Sequence, residues 1–357
     1  MILQELYLKN FRCFKEQRIV FKDSITLLQG PNGSGKTSII EALFFLGHLY
    51  SWRTSSPREM FAFNEDHFYL RLRGITRDEP WNLHVGLQGK KRLIKFGENP
   101  IKSFQEISNH YQLIVLSEDN LAIVQDGPEE RRAFIDDAIV LQNPHHKASL
   151  RKYRHILAQR NGLLSSGICS TESYDIWSSQ LWTLAKEIQQ ERCRYVAQLN
   201  DAVMHVLLTS PFFQNATIQL EEKSARFPLE DSFDLFMKKN PYLNESERKA
   251  QRTLWGPHLD DFNPLFNGSH ARHFASRGQK KRMVTLLKLA QAHMLGQKPI
   301  WALDDFMADF DDESIATVFS LIQSYATQLI ITSPSQAITQ QCLPLIKNPL
   351  SSVVLSQ

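Results

Sequence analysis

The chain has 357 residues, 42% hydrophobic and 22% charged, which excludes a disordered chain and fits a soluble protein with one large core or two domains. The formal charge of +3 is nearly balanced, so any nucleic-acid role must come from local patches. Cys13, Cys169, Cys193 and Cys342 lie far apart with no C-x-x-C pair, which argues against a zinc site or disulfide framework and fits a reducing cytoplasm. No apolar run approaches the roughly 20 residues needed to cross a bilayer, so no membrane partner is expected.

Met1 to Lys9 alternates polar and apolar residues as a strand, without the order of a signal peptide. Asn10 to Phe14 reads as a turn, with Arg12 either exposed or against a ligand. Ile25–Leu28 is an apolar strand and Ser38–Leu46 a buried helix. Between them, Gly30-Pro31-Asn32-Gly33-Ser34-Gly35-Lys36-Thr37 fills the phosphate-loop pattern G-x-x-x-x-G-K-[ST]. The glycines let backbone N–H groups, with that of Ser38, face an anion at a helix N-terminus. Lys36 reaches the β- and γ-phosphates, and the Thr37 hydroxyl ligates Mg²⁺.

Residues 67–96 alternate again as an antiparallel side sheet, whose turn carries the basic tip Lys90, Lys91 and Arg92, a candidate DNA contact. A strand over 112–116 follows. Long helices are then expected from about Glu129 to Leu208. Residues 138–171 contain no acid but five cations, Lys147, Arg151, Lys152, Arg154 and Arg160. Lys147, Arg151 and Arg154 share one helical face and suit a phosphate backbone. Phe227 to Asn244 reads as irregular.

Ser276-Arg277-Gly278-Gln279 opens a helix with Met283, Leu286, Leu287, Ala290 and Met294 on one side. It reads as a second anion site, with Ser276, Gly278 and Gln279 contributing. From Phe262 to Leu303 there is no acid and there are seven cations, a field suited to a triphosphate. One nucleotide does not need two cradles from one chain, so the economical arrangement is a head-to-tail dimer sharing each site. Pro299 to Leu303 is a strand ending in Asp304 and Asp305, placing Asp304 on the metal and Asp305 on the attacking water.

These motifs resemble those of the RecF family of bacterial DNA replication and repair proteins, SMC-like ABC-type ATPases. Further matches are Lys9–Arg12, Glu41-Ala42, Ser51–Arg53, Gly127–Asp136, Gln159–Asn161 within Tyr153–Leu164, and Thr253–Asp261. The resemblance implies an α/β fold: an ABC-ATPase-type head, with a mixed sheet, P-loop and antiparallel side sheet, plus a mainly helical second lobe. The expected boundaries are 1–120 and 250–357 for the head and 121–249 for the arm. It also implies a cytoplasmic ATPase with catalytic Lys36, Asp304 and Asp305, using ATP and Mg²⁺, whose ATP-dependent homodimer binds single-stranded and gapped double-stranded DNA. Such a protein supports recombinase filaments with the RecR and RecO proteins.

The chain departs from the family at Leu259, where arginine is usual, and at Ala308-Asp309-Phe310-Asp311 in place of Ser-Glu-Leu-Asp. Ile330 to Pro334 lacks the histidine of transporter motors, and Gln125 is the candidate γ-phosphate sensor. Two alternatives are a membrane transporter's motor subunit and a non-hydrolysing nucleotide-dependent DNA clamp. The 240 residues separating Lys36 from Ser276 weigh against the first. A small-molecule kinase would leave Ser276 to Gln279 without a role.

Overall fold

A hairpin opens the chain: β1 (Ile2–Phe11) pairs antiparallel with β2 (Phe14–Val20), and its tip is turned by Asn10 and Arg12 at φ 52° and 53°. β3 (Ile25–Gln29) is buried over its first four residues, Ile25, Thr26, Leu27 and Leu28, as a strand covered on both faces must be, and leads into α1 (Lys36–His48). The computed structural model describes residues 1–89, 91–101, 104–166, 171–213, 217–223, 230, 232–306, 310–333 and 350–355.

β4 (His67–Thr76), β5 (Glu79–Gln88), β6 (Lys91–Phe96) and β7 (Asn99–Pro100) continue the hairpin into a six-stranded sheet of order β2-β1-β4-β5-β6-β7. Each of its first three central strands alternates, with Leu6, Leu8, Phe68, Leu70, Leu72, Leu83 and Val85 buried on one face. After α2 (Phe104–Ser108) comes β8 (Leu113–Ser117), fully buried.

The helical stretch holds α3 (Ala122–Gln125), α4 (Pro128–Gln142), α5 (His145–Ser166) and α6 (Thr171–Thr209), with Pro128 at the first turn of α4, where its missing N–H costs nothing. β9 (Ile218–Lys223) follows. The segment read as irregular contains α7 (Phe233–Lys239) and the start of α8 (Leu243–Ala250). Ser232 accepts the N–H of Leu235 as a cap, and Phe236 is fully buried; one cap and one anchor suffice for a two-turn helix too short to show a period. Residues 227–229 and 231 of that reading lie outside the described residues.

β10 (Asp261–Phe266) and β11 (Ser269–His270) join β9 in a three-stranded antiparallel sheet. α9 (Ala271–Phe274) and α10 (Arg277–Met294) then precede β12 (Ile300–Asp304), α11 (Asp312–Tyr325), β13 (Gln328–Ser333) and β14 (Leu350–Val354). The last three strands build a five-stranded parallel sheet of order β14-β3-β13-β12-β8. Carboxyl ends of parallel strands share one edge, so β3 and β12 deliver Gln29 and Asp304 to the same side.

The chain divides into two compact units, Met1–Asn120 with Val206–Gln214 and Thr285–Gln357, and Leu121–His205 with Asn215–Val284. Residues 250–284 fall in the second. Its core gathers Tyr153, Ile156, Leu181, Trp182, Ile188, Phe236 and Trp255.

Beside that core lies a buried ionic knot. Arg160, 1% exposed, forks onto Glu247 at 3.0 and 2.6 Å and also donates to Thr253 and Ser178 and to the Tyr174 hydroxyl. Asn161 Oδ1 accepts both the N–H and the hydroxyl of Thr253. The motif Gln159–Asn161 thus staples α5 to the segment after α8. Arg160→Met should cost about 3–5 kcal/mol by leaving a carboxylate buried and uncompensated. Urea unfolding checks this, and Glu247→Met added to it should recover most of the loss; equal stability of the single variant would refute it.

Candidate active site

α1 begins at a glycine. Gly35 is its N-cap at φ 92°, no side chain caps the helix, and the first turn carries no acid. The first N–H groups are therefore left to an anion. Space demands glycine as well as torsion: a Cβ on Gly35 would stand 2.4 Å from Phe14 Cζ, and one on Gly30 would stand 2.9 Å from the Leu355 carbonyl oxygen. At Gly33 the demand is torsional alone, with φ 85° and open space around it.

Lys36 Nζ donates to the carbonyl oxygens of Gly30 at 2.8 Å and Pro31 at 3.1 Å, so the loop curls around its own lysine. An ammonium has three N–H bonds, and the third suits a phosphate oxygen. The Thr37 hydroxyl donates to Asp304 Oδ1 at 3.2 Å. Thr332, at the carboxyl end of β13, also meets Asp304 Oδ1 (2.9 Å) and Asp305 Oδ1 (3.1 Å). One hydroxyl proton serves one carboxylate at a time. The Asp305 N–H donates back to Thr332 Oγ1 at 3.0 Å, which holds Asp305 in a left-handed conformation at φ 50°.

Burial is the largest influence on Asp304 and raises its pKa; the Thr332 and Thr37 hydroxyls oppose this, Asp305 adds to it, and Arg53 opposes it. A hydroxyl and a carboxylate make a hard oxygen pair suited to Mg²⁺, which takes few protein ligands when phosphates supply the rest. Among the described residues no group of three or more His, Cys, Asp or Glu could hold a metal. At this edge the buried hydroxyls Ser34 Oγ, in the loop, and Ser117 Oγ, whose residue pairs with Asp304 across β8 and β12, have no hydrogen-bond partner among the described residues. Orphaned donors flanking this edge fit a site built for a polar ligand and its water.

Behind the loop, Glu41 of α1 is fully buried and accepts from Arg12 Nε at 2.9 Å, Arg12 Nη2 at 2.5 Å, Ser51 Oγ at 2.5 Å and Arg53 Nη1 at 3.2 Å. Arg12 is therefore neither loose in a turn nor without a partner. Four residues from the motifs Lys9–Arg12, Glu41-Ala42 and Ser51–Arg53 form one cluster.

Ser276 and Gln279 hold each other. Ser276 Oγ accepts the Gln279 N–H at 3.2 Å, and Gln279 Oε1 accepts the Ser276 N–H at 2.8 Å, a capping box at the start of α10. Both serine lone-pair and helix N–H are thus spent locally, while the serine proton still has a direction to donate. Ser276 and Gly278 are exposed, and Gln125 ends α3 half-buried.

The model of the AAA ATPase domain family matches residues 1–274. The chain belongs to that family. This AAA ATPase is similar to the DNA replication and repair protein RecF of Desulfitobacterium hafniense, at 28% identity over 97% of each chain, and to that of Halothermothrix orenii, at 27% over 93% of this chain and 92% of the relative. A solved structure of the recombination mediator protein RecF-ATP in the RecFOR pathway matches with a TM-score of 0.84 at 26% identity, covering 98% of this chain and 95% of its own. The Smc head domain of Pyrococcus furiosus, at TM-score 0.52 and 16% identity over 95% and 91%, shares the fold alone. The fold is that of an ABC-ATPase-type head with added helices, and the RecF resemblance extends over nearly the whole chain.

On α5, Arg151 and Arg154 stand exposed, and Lys147 is half-buried. Arg160, counted among the five cations of this acid-free stretch, is buried on Glu247. Arg92 is not simply a hairpin tip: its Nη2 donates to the Leu49 carbonyl at 2.6 Å, and its guanidinium lies 5.2 Å from the centroid of the Phe45 ring. Lys91 is exposed, while Lys90, Ala308, Asp309 and Pro334 lie outside the described residues.

Sequence patterns did not single out Thr332. Its role depends on register, since Leu303 pairs with Ile331 across β12 and β13 and so brings the next residue of each strand together. A threonine at the end of an apolar strand was the available signal.

Proposed function

We propose that this chain is an ATP-dependent DNA-binding protein of recombinational repair and replication restart, working in the cytoplasm. ATP drives its head-to-tail dimerisation on gapped single/double-stranded DNA, where it supports recombinase loading with RecR and RecO and hydrolyses ATP slowly, faster with DNA. The observation that carries the reading is the meeting of Thr37 with Asp304, which joins the phosphate loop to an acidic strand end. The likeness to RecF proteins, one of them described with ATP, supports it.

In this reading the loop N–H groups from Gly33 to Ser38 and Lys36 bind the phosphates. Thr37 and Asp304 would hold Mg²⁺, which would supply positive charge to offset that of the phosphates. Asp305, one residue past the strand and tethered through Thr332, orients the attacking water. Ser276, Gly278 and Gln279 of a second copy close over the γ-phosphate, and Lys147, Arg151 and Arg154 face the DNA backbone.

Steady-state hydrolysis with and without gapped duplex tests the proposal. Gapped DNA is expected to raise turnover several-fold. Turnover indifferent to DNA would overturn the reading, and ATP-driven DNA retention without any turnover would point to a clamp.

A further inference from the structure

The six-stranded sheet buries one face and presents the other, and that outward face is chemically uneven. Across β2, β1, β4, β5 and β6 it carries Lys9, Arg18, Arg71, Arg73, Lys91 and Lys95, against Glu5 and Glu16 within the strands and Asp66 at the margin, 3.0 Å from His67. Glu5 lies 4% exposed beneath the cations and is shared by Arg18 at 2.5 Å and Arg71 at 2.8 Å, whose charges and hydrogen bonds together lower its pKa against the opposing effect of burial. It therefore serves as an anchor that fixes two guanidiniums in place, leaving the face positive.

Two tyrosines are interleaved with these cations. Tyr7 and Tyr69 meet edge to face at 6.1 Å, Arg71 lies 5.4 Å from the Tyr7 ring centroid, and the Tyr69 hydroxyl is 2.6 Å from His84 Nδ1. The rings are thus braced on a rigid sheet.

Beyond Tyr69 the face dips. Gly86 has no side chain to fill the space between Tyr69 and Leu93, and a Cβ there would stand 3.9 Å from Tyr69 Cδ2 and 3.8 Å from Leu93 Cβ. A hollow of about 410 Å³ opens at this end of β4, β5 and β6, lined on the outward face by His67, Gly86, Gln88, Lys91 and Leu93. It has an apolar wall, polar rim groups and room for a nucleobase.

We propose that this outward sheet face, from Lys9 and Arg73 to the hollow over Gly86, is a docking surface for single-stranded DNA. The charge complements phosphates, and aromatic rings alternating with cations on a sheet are what unstacked bases and a tracked backbone require. Duplex bases stay stacked and cannot enter the hollow; an unpaired strand can offer one. The inference rests on the DNA-binding reading above and adds to it a surface for the unpaired part of a gap, made of residues other than those of the α5 face.

Affinity for a fluorescent oligo(dT) and for a blunt hairpin duplex separates the possibilities. Gly86→Val fills the hollow at a backbone torsion open to any residue, and Arg73→Gln with Lys95→Gln removes charge from the face while keeping both ion-pair partners of Glu5, Arg18 and Arg71. Each variant is expected to bind oligo(dT) at least about 10-fold more weakly, with duplex affinity within 2-fold of the parent; loss of one stacked base alone amounts to that order. For the double variant the slope of log K against log salt on oligo(dT) should fall by about 1.4, at about 0.7 per phosphate. Unchanged oligo(dT) binding, or an equal loss on duplex, overturns this surface while leaving the DNA-binding reading intact. Failure of the parent protein to bind either DNA at low salt overturns both.

Discussion

Asp305→Asn should bind ATP as tightly as the parent and hydrolyse it about 100-fold or more slowly. Loss of a positioned general base commonly costs 10²–10⁴-fold. The substitution is nearly isosteric, and the contacts that shape this corner survive it: the Asp305 N–H to Thr332 is backbone, and the Thr332 proton can go wholly to Asp304 at 2.9 Å. What disappears is negative charge and basicity. By contrast, Lys36→Ala removes a cation whose Nζ also ties the Gly30 and Pro31 carbonyls together, so nucleotide binding itself should fail. Equilibrium binding of a fluorescent ATP analogue, set beside single-turnover hydrolysis, separates the two. If Asp305→Asn turns over at the parent rate, the water is oriented by another group, and Ser117, across from Asp304 on β8, would be next in line.

The two halves of this corner were unequally legible. The phosphate loop can be read from residues alone because its function is carried by backbone torsions that only particular residues permit. Gly33 and Gly35 occupy φ 85° and 92°, where a Cβ is penalised wherever the loop occurs. Asp304 was legible for a related reason, as an acid ending an apolar run. Thr332 was not, because its value comes from which residue of β13 stands beside Asp304, a matter of tertiary register. Charge was the least readable quantity. Arg160 looks like one more cation on a basic stretch, yet its partner Glu247 is 87 residues away and converts it into core. Arg12 is settled in the same way by Glu41, 29 residues on. Local counts give formal charge but do not reveal which charges reach solvent.

Ser276→Asp should fold as the parent does, bind ATP, and fail to dimerise. The capping box makes this test sharper than a bulky replacement. Ser276 Oγ caps α10 by accepting the Gln279 N–H, a task aspartate performs about equally well, whereas a residue without a cap acceptor costs about 1 kcal/mol. Aspartate keeps the helix start and changes only what a γ-phosphate would meet: a donor becomes a fixed negative charge. If Ser276 closes the site of a second copy, repulsion between the two anions abolishes ATP-driven association while leaving each chain's own Lys36 loop untouched. Light scattering with ATP, with ADP and without nucleotide reads the first part, with dimer expected only for the parent in ATP, since the γ-phosphate is the group both copies would touch. Mixing supplies the second part. A Lys36→Ala chain has an intact signature and a Ser276→Asp chain an intact loop, so a mixed dimer contains one complete site, made from the signature of the former and the loop of the latter. Hydrolysis should therefore appear on mixing two preparations that are each inactive. No recovery on mixing, together with normal dimerisation of Ser276→Asp in ATP, would mean that each chain completes its own site and that the capping box does nothing more than start a helix.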